Sequence, residues 1–304
     1  MTKLKLEKDY RRFLDPTTLA KISNLELIAR LVVEGFLVGL HKSPYHGFSV
    51  EFAEYRQYNP GDPPKSIDWK VYARTDKFFV KEYEEETNLK AYILLDKSGS
   101  MGFSYGGRIT KLEYGRFLAA ALAYLMIKQK DAVGLLTFDE KPDTVVPASM
   151  TRVQFMELLK ILDRTRCSNK TRINTTFPAL AERIKRRGLI ILISDLLDDP
   201  ENIVSALKQF RHRKNEVIVF HILDPIEINF DFNEELQLLD LERNKLMSVQ
   251  PWLIREDYQK AAKKFFNELK YRCRELGVDY NLMTTDIPFD MALIAYLHKR
   301  QRLY

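Results

Sequence analysis

The chain has 304 residues, 45% of them hydrophobic, and this length is enough to bury a substantial core in one large domain and a smaller one. No run approaches the roughly 18 apolar residues that span a bilayer, and the N-terminus lacks the apolar core of a signal peptide, so we predict a cytoplasmic protein. The formal net charge is +6, but most basic residues alternate with acidic ones, which argues against nucleic-acid binding.

Residues 15 to 41 predict an amphipathic helix. The segment opens with Asp15-Pro-Thr-Thr, a helix start, and apolar side chains then recur at close to helical spacing up to Leu40. The pattern is interrupted near Ser23-Asn24. Because Glu34 and Gly35 break the apolar stripe, we expect this helix to pack on the protein and not on a membrane.

A block of charged and aromatic residues follows, between predicted strands at Gly47 to Glu51 and Phe78 to Tyr83. The spaced residues of this block are Arg56, Tyr58, Pro60, Gly61, Asp62, Ile67, Asp68, Trp69, Ala73 and Arg74. The block resembles the signature of the bacterial family called domain of unknown function 58, in which it precedes a von Willebrand A-like domain. From the charges themselves we predict an ion-pair network that fixes a small N-terminal helix and β module, residues 1–86, against a second domain, residues 87–304.

The second domain opens on a nearly continuous apolar run, Leu89 to Leu95, which is typical of a strand buried on both faces of a parallel sheet. The run ends in Asp96, Ser98 and Ser100, and this spacing lets a tight loop turn three side-chain oxygens toward one point. Ligand sites in such sheets lie at the carboxyl ends of strands, and hard oxygen donors suit Mg²⁺ or Mn²⁺. These residues match, one by one, the metal-ion-dependent adhesion site of von Willebrand factor A domains, which the loop resembles.

Strands and helices alternate from here to the end, which predicts an α/β fold with a doubly wound, mostly parallel sheet. The predicted helices are 110–129, 151–163, 176–186, 200–211, 255–276 and 288–300. The predicted strands are 132–138, 189–194, 216–223 and 279–283, with a hairpin return at 144–146 and a further hairpin at 237–250.

The strand at 189–194 also ends in a carboxylate, Asp195, which should emerge at the same sheet edge as Asp96 if the two strands are neighbours. The adhesion-site resemblance implies a further threonine from the loop before the preceding helix. Thr171 is the best match, and Thr175 and Thr176 are alternatives. The predicted metal ligands are Asp96, Ser98, Ser100, Thr171 and Asp195.

One neighbour of this site departs from the pattern of the family. Arg172 stands where relatives usually carry an acidic residue. Its guanidinium would either disfavour a divalent cation or contact an acidic ligand.

We therefore predict a metal-dependent protein-interaction protein whose ion, Mg²⁺ or Mn²⁺, leaves a position open for an acidic side chain of a partner. We expect no enzymatic activity, because no histidine lies in the ligand-bearing loops to activate a serine, and nucleotide-binding glycine motifs are absent. The family resemblance implies a partner, a MoxR-type AAA+ ATPase, and an adaptor role in assembly or maturation of other proteins. The alternative is a metal-assisted phosphohydrolase.

Overall fold

A computed structural model of the chain describes residues 15–41, 55–58, 67, 69–81, 89–139, 142–168, 173–184, 187–232, 234–240 and 245–303. The strands within these ranges are β1 (Tyr55–Gln57), β2 (Phe79–Lys81), β3 (Lys90–Asp96), β4 (Ala132–Phe138), β5 (Pro142–Ser149), β6 (Leu189–Ser194), β7 (Glu216–Leu223), β8 (Leu236–Asp240), β9 (Lys245–Val249) and β10 (Asp279–Thr284).

The helices are α1 (Pro16–Leu19), α2 (Leu25–His41), α3 (Trp69–Thr75), α4 (Lys111–Lys128), α5 (Arg152–Arg164), α6 (Ile173–Arg183), α7 (Pro200–His212), α8 (Pro225–Asn229), α9 (Pro251–Glu275) and α10 (Asp290–Gln301). A turn of 3₁₀ helix, Gly99–Gly102, follows β3. No helix in the described ranges is both long and apolar enough to cross a membrane.

Six strands form the main sheet in the order β10-β7-β6-β3-β4-β5, and β5 is antiparallel to its neighbour while the other pairs are parallel. The chain enters at β3, winds outward through β4 and β5, and then returns to place β6, β7 and β10 on the other side. The winding direction therefore reverses between β3 and β6, which is where doubly wound sheets bind ligands. The predicted fold class, a mostly parallel α/β sheet, is confirmed.

The central strands are buried because helices cover both faces of the sheet. Every residue of β4 and of β6 is buried, as expected for strands with continuous apolar runs. Helices α2, α4, α5 and α10 contribute to the core on one face, and α6, α7 and α9 to the core on the other. Apolar side chains thus fill the space beside the strands, and the polar residues that follow them lie at the sheet edge.

A glycine lets helix α4 lie close to the two strands at the reversal point. A Cβ atom at Gly115 would lie 3.0 Å from Leu95 Cδ1 on β3 and 3.2 Å from Ile193 Cγ2 on β6. Lys111 is four residues earlier on the same helix and therefore projects from the same face, one turn closer to the carboxyl edge of the sheet. This approach positions the first turn of α4 beside the ends of β3 and β6.

Several element boundaries differ from the sequence-based prediction. The helix predicted over residues 15–41 is two helices, α1 and α2, separated near the Ser23-Asn24 interruption. Helix α9 begins at Pro251 and not at residue 255, because proline is well suited to the first helical position. The short helices α3 and α8 were not predicted.

The N-terminal module lies only partly within the described residues. The predicted strand at Gly47 to Glu51 and the predicted boundary between residues 86 and 87 lie outside them, so the two-domain division stays a prediction. Strands β1 and β2 form an antiparallel pair, and Tyr72 of α3 stacks on Phe78 with ring centroids 4.5 Å apart. The side chain of Trp69 is exposed, so this signature residue is not a core residue of the described module.

A buried carboxylate holds the last helix against the start of β4. Asp131 is fully buried, and its Oδ2 accepts hydrogen bonds from Arg300 Nε at 2.7 Å and from the Tyr296 hydroxyl at 3.0 Å. We expect Arg300→Met to lower the free energy of unfolding by about 3 to 5 kcal/mol, because it leaves a buried charge unpaired. Urea unfolding measures this. The matched change Arg302→Met, at an exposed position 3.8 Å from Asp279, should cost less than about 1 kcal/mol. Equal losses of unfolding free energy in the two variants would show that the ion pair between Arg300 and Asp131 does not stabilise the fold in this way.

Candidate metal centre

The Asp96 carboxylate lies at the end of β3 and is buried. Its Oδ1 accepts a hydrogen bond from the Ser98 backbone N–H at 2.8 Å, and its Oδ2 accepts one from the Ser194 hydroxyl at 2.6 Å. Burial and the neighbouring Asp195 carboxylate raise the pKa of Asp96 to about 7, although these hydrogen bonds favour the charged form. The site therefore contains a carboxylate whose negative charge is poorly compensated by the protein.

Two serine hydroxyls lie beside this carboxylate. Ser98 Oγ and Ser100 Oγ are 3.1 Å apart, and Ser98 is buried. The 3₁₀ turn at Gly99–Gly102 follows Ser98 directly and brings Ser100 back toward it. The sequence prediction that the Asp-x-Ser-x-Ser spacing gathers side-chain oxygens agrees with this geometry.

The second carboxylate, Asp195, follows β6 and is ion-paired. Lys111 Nζ lies 2.8 Å from Asp195 Oδ2 and 2.6 Å from Glu227 Oε1, and the lysine side chain is fully buried. Burial alone would lower the pKa of Lys111, but the two carboxylates outweigh it and raise that pKa. Asp195 thus lies at the predicted sheet edge, next to Asp96, but its carboxylate is paired with the Lys111 ammonium.

Lys111 occupies an unusual position for a lysine. It is the first residue of α4, after the N-cap Thr110, and a positive charge at a helix N-terminus is disfavoured by the helix dipole. Its ammonium also lies 5.7 Å from the centre of the Phe103 ring. The nearby carboxylates offset these costs. Lys111 therefore stabilises the site and not the helix that it begins.

Helix α8 holds Glu227 in position. Asp224 follows β7 and caps α8, and the Asp224 backbone N–H donates to Glu227 Oε2 at 2.7 Å in a capping box. The other oxygen of Glu227 contacts Lys111. Asp224 Oδ2 also accepts from the Tyr105 backbone N–H at 3.0 Å, so the same acidic residue fixes the loop after Ser100.

A buried histidine lies behind Asp195. Nδ1 of His221 is 2.6 Å from the Tyr280 hydroxyl, and Nε2 has no hydrogen-bond partner among the described residues. Burial lowers the pKa of His221 to about 4, although Asp195 favours the charged form. His221 is therefore neutral near pH 7, and its side chain has no contact with Ser98 or Ser100 that would make it their base.

The structure brings together four of the predicted site residues and leaves one untested. Asp96, Ser98, Ser100 and Asp195 lie at the same sheet edge, whereas Thr171 and its neighbour Arg172 lie outside the described residues. The alternatives Thr175 and Thr176 fall in the first turn of α6, which begins three residues earlier than predicted.

Three residues of the cluster were missed by the sequence analysis. Ser194 is the last residue of an apolar strand, and Lys111 opens a helix, so neither carries a motif. Glu227 had a signal, because Asp224-Pro-Ile-Glu227 has the spacing of a helix-capping box directly after a strand.

The donor set fits a hard divalent cation. In the described part of the chain, no group of three or more histidine, cysteine, aspartate or glutamate side chains is arranged to hold a metal ion. The candidate centre instead combines one carboxylate, Asp96, with the hydroxyls of Ser98 and Ser100. Mg²⁺ is usually bound by one or two carboxylates with several waters, and a cation beside Asp96 would compensate the charge that burial disfavours.

A family model described as protein of unknown function DUF58 matches residues 54–267. The chain belongs to the DUF58 family. The matched range contains the Arg56 to Arg74 block, the Asp96 loop and Asp195, so the family resemblance predicted from the sequence is confirmed.

Relatives of this DUF58 chain are found in mycobacteria and in Bacillus subtilis. It is 26% identical over 293 residues to the uncharacterized protein Rv1480 of Mycobacterium tuberculosis, a match that covers 95% of this chain and 91% of the relative. It is also 26% identical over 126 residues to the uncharacterized protein YeaD of Bacillus subtilis, covering 41% of this chain and 29% of YeaD.

Solved structures similar to this DUF58 chain include a von Willebrand A domain. The conserved hypothetical protein BatB from Bacteroides thetaiotaomicron matches 71% of this chain and all of that chain, with a TM-score of 0.46 and 16% identity. The VWA domain of SpRpn10 matches 68% of this chain and 94% of that chain, with a TM-score of 0.38 and 13% identity.

The ion pairs of Lys111 can be tested by removing its charge. We expect Lys111→Met to lower the free energy of unfolding by about 3 to 5 kcal/mol, because it leaves the buried Asp195 and the partly buried Glu227 without their cation. The control is Lys128→Met at the exposed end of the same helix, which should change stability by less than about 0.5 kcal/mol. Urea unfolding in metal-free buffer compares the two. A loss below about 1 kcal/mol for Lys111→Met would show that the lysine is not the required counter-charge.

The burial of His221 predicts a specific pH dependence. With its pKa lowered to about 4, the folded chain rejects a proton that the unfolded chain binds below about pH 6.5. The stability that this group contributes is therefore present near pH 7 and falls as the pH drops to about 4, by up to about 3 kcal/mol. The raised pKa of Asp96 gives a slope of opposite sign, so the quantity to measure is the difference between the wild type and His221→Phe. Urea unfolding at several pH values gives the free energy of unfolding of the wild type minus that of His221→Phe. We expect this value to fall by up to about 3 kcal/mol between pH 7 and about pH 4, and a value that stays constant would contradict the prediction.

Proposed function

We propose that this protein is a non-enzymatic, metal-dependent adaptor that binds an acidic side chain of a protein partner at the end of β3. The observation that carries the proposal is the gathering of the Asp96 carboxylate and two serine hydroxyls at the point where the winding of the sheet reverses. Ligands of doubly wound sheets bind at such points. Membership of the DUF58 family adds the expectation of an interaction role.

In this proposal Asp96, Ser98 and Ser100 hold Mg²⁺ or Mn²⁺, with Thr171 as a further ligand. When bound, the metal supplies open coordination positions for water or for a carboxylate. The Ser194 hydroxyl and the Ser98 backbone N–H orient the Asp96 carboxylate through their hydrogen bonds. Two positioned donors on one carboxylate favour a single rotamer, and a fixed ligand lowers the entropy cost of binding an ion.

Asp195 has a different role from Asp96. Because its Oδ2 is already 2.8 Å from Lys111 Nζ, we assign it to the surroundings of the metal, where its charge raises the affinity for a cation. Lys111 partly compensates that charge and therefore weakens the repulsion between the Asp96 and Asp195 carboxylates. The balance of these charges would set how strongly a cation and an acidic ligand bind.

The family resemblance supplies the proposed partner, a MoxR-type AAA+ ATPase, and the proposed role in assembly or maturation of other proteins. Such an ATPase uses a cytoplasmic nucleotide, so we place the interaction in the cytoplasm. The alternative, a metal-assisted phosphohydrolase, depends on Arg172, which lies outside the described residues. Release of phosphate from generic phosphoesters by the purified protein would favour that alternative.

Metal binding is tested first, on the purified protein alone. We expect Asp96→Asn to lower Mg²⁺ affinity more than about a hundredfold, about 2.7 kcal/mol, because it removes the charged ligand while keeping the side-chain shape. Ser100→Ala should also weaken binding, because it removes a hydroxyl ligand. Isothermal titration calorimetry measures both. Ser104→Ala, on the same loop but without a hydrogen bond to these residues, is the control. Wild-type affinity in Asp96→Asn would overturn the metal assignment.

Partner binding is tested second, with a purified MoxR-type AAA+ ATPase from the same genome. Surface plasmon resonance should show binding with Mg²⁺ that is lost with a chelator and in Asp96→Asn, and retained in Ser104→Ala. Binding that is unaffected by the chelator would retain the partner but reject the metal-dependent mechanism.

A further inference from the structure

Strand β10 has an open side. It is the last strand of the main sheet and pairs through one side with β7, over Asp279 to Thr284. No strand within the described ranges pairs with its other side. An edge of this kind presents backbone N–H and C=O groups that another extended chain can pair with.

Two cavities make this edge into a groove. One, of about 690 Å³, lies at the start of β10, and the other, of about 340 Å³, lies toward its end. Both are lined by Tyr280 and Asn281 of the strand, by Lys270 of α9 and by Met291 of α10. Because these residues are shared, the cavities form one continuous groove along β10, with α9 and α10 as its two walls.

The groove is basic at the end where β10 begins. Lys270 and Arg274 project from α9, and neither forms an ion pair with the described residues. Arg302, which follows α10, reaches only Asp279 at 3.8 Å, and its side chain is 72% exposed. Lys299, by contrast, is occupied by ion pairs with Glu216 and Asp279. Three cations therefore remain largely uncompensated at this end.

The other end of the groove is richer in apolar side chains, although Asn267, Lys270 and Asn281 also line it. It is lined by Phe266 of α9, by Leu282 and Met283 of β10, and by Ile287 and Met291 near the start of α10. The Met291 side chain is 62% exposed and Leu282 is 36% exposed. Flexible methionine side chains adapt to apolar ligands of different shapes.

We propose that the β10 groove binds an extended, acidic segment of a protein partner, which adds to the main sheet as a further strand. Backbone hydrogen bonds to the open side of β10 would hold the segment, acidic side chains would face the basic end, and apolar side chains would pack against the Met291 end. A segment that pairs along the whole of β10, which has 6 residues, would itself be about six residues long, because paired strands rise by about the same distance per residue.

The charges favour an acidic partner over a second copy of this chain. If β10 strands of two copies paired antiparallel about a two-fold axis, the end of one strand, Leu282 to Thr284, would face the basic start of the other and would bring no acidic side chain of β10 to Lys270, Arg274 and Arg302. The apolar end and the open backbone are also poorly suited to a nucleic acid. This site is separate from the candidate metal centre, because β6 and β7 lie between β10 and β3.

The test uses the full chain and a fluorescent peptide of alternating Glu and Val, about eight residues long, with binding measured by fluorescence anisotropy. We expect saturable binding by the wild type and at least about a tenfold loss in Lys270→Gln/Arg274→Gln, about 1.4 kcal/mol. The matched control is Lys160→Gln/Arg164→Gln, at exposed positions of α5 near the opposite end of the sheet, which should bind within about twofold of the wild type. Thermal unfolding checks that both double variants remain folded.

Two further peptides separate strand addition from charge attraction. The same peptide with N-methyl groups on alternate backbone amides keeps its charge but cannot form the ladder, and it should not bind. A Lys and Val peptide should not bind either. Equal binding of the N-methylated peptide, equal binding by the two double variants, or failure of the Glu and Val peptide to bind would each overturn the proposal. So would a dimer in sedimentation that Lys270→Gln/Arg274→Gln strengthens, or an oligonucleotide that binds the groove more tightly than the acidic peptide.

Discussion

The buried ammonium of Lys111 is the interaction on which the candidate site depends. Parallel strands buried on both faces leave their polar residues at the ends, and this topology brings Asp96 and Asp195 together at the reversal point. Two carboxylates there would repel each other in a low-dielectric environment. Lys111 pairs with Asp195 and Glu227 and thereby offsets part of this repulsion.

The candidate site has two parts. In the first, the Lys111 ammonium pairs with carboxylates, and in the second no cationic side chain of the described residues does so. Asp195 and Glu227 belong to the first, and Asp96, Ser98 and Ser100 belong to the second. The proposed metal ion would thus enter an electric field that Lys111 already partly neutralises. Helix α4 links the two parts, because Gly115 allows it to lie against both β3 and β6.

We propose two different partner-binding surfaces on the main sheet. At its carboxyl edge lie the Asp96 carboxylate and the hydroxyls of Ser98 and Ser100, and the proposed recognition there would depend on charge and coordination. Along β10, one side of the backbone pairs with no strand of the described residues, and the proposed recognition there would depend on hydrogen bonding by an extended chain. The two proposed surfaces use different chemistry and are three strands apart in the sheet, so a variant in one should leave the other intact.

The sequence by itself determined the central strands, the two carboxylates and the family. Continuous apolar runs such as Leu189 to Ile193 are diagnostic because both faces of a parallel strand are buried. Asp96 follows such a run directly, and Asp195 follows one after Ser194. Only the tertiary structure decided that Lys111 is buried and that it pairs with Asp195. A lysine at a helix start normally lies in water, and its second partner, Glu227, is 116 residues away along the chain. Local patterns record the burial of apolar faces, whereas the pairing of distant charges depends on how strands and helices are ordered in space.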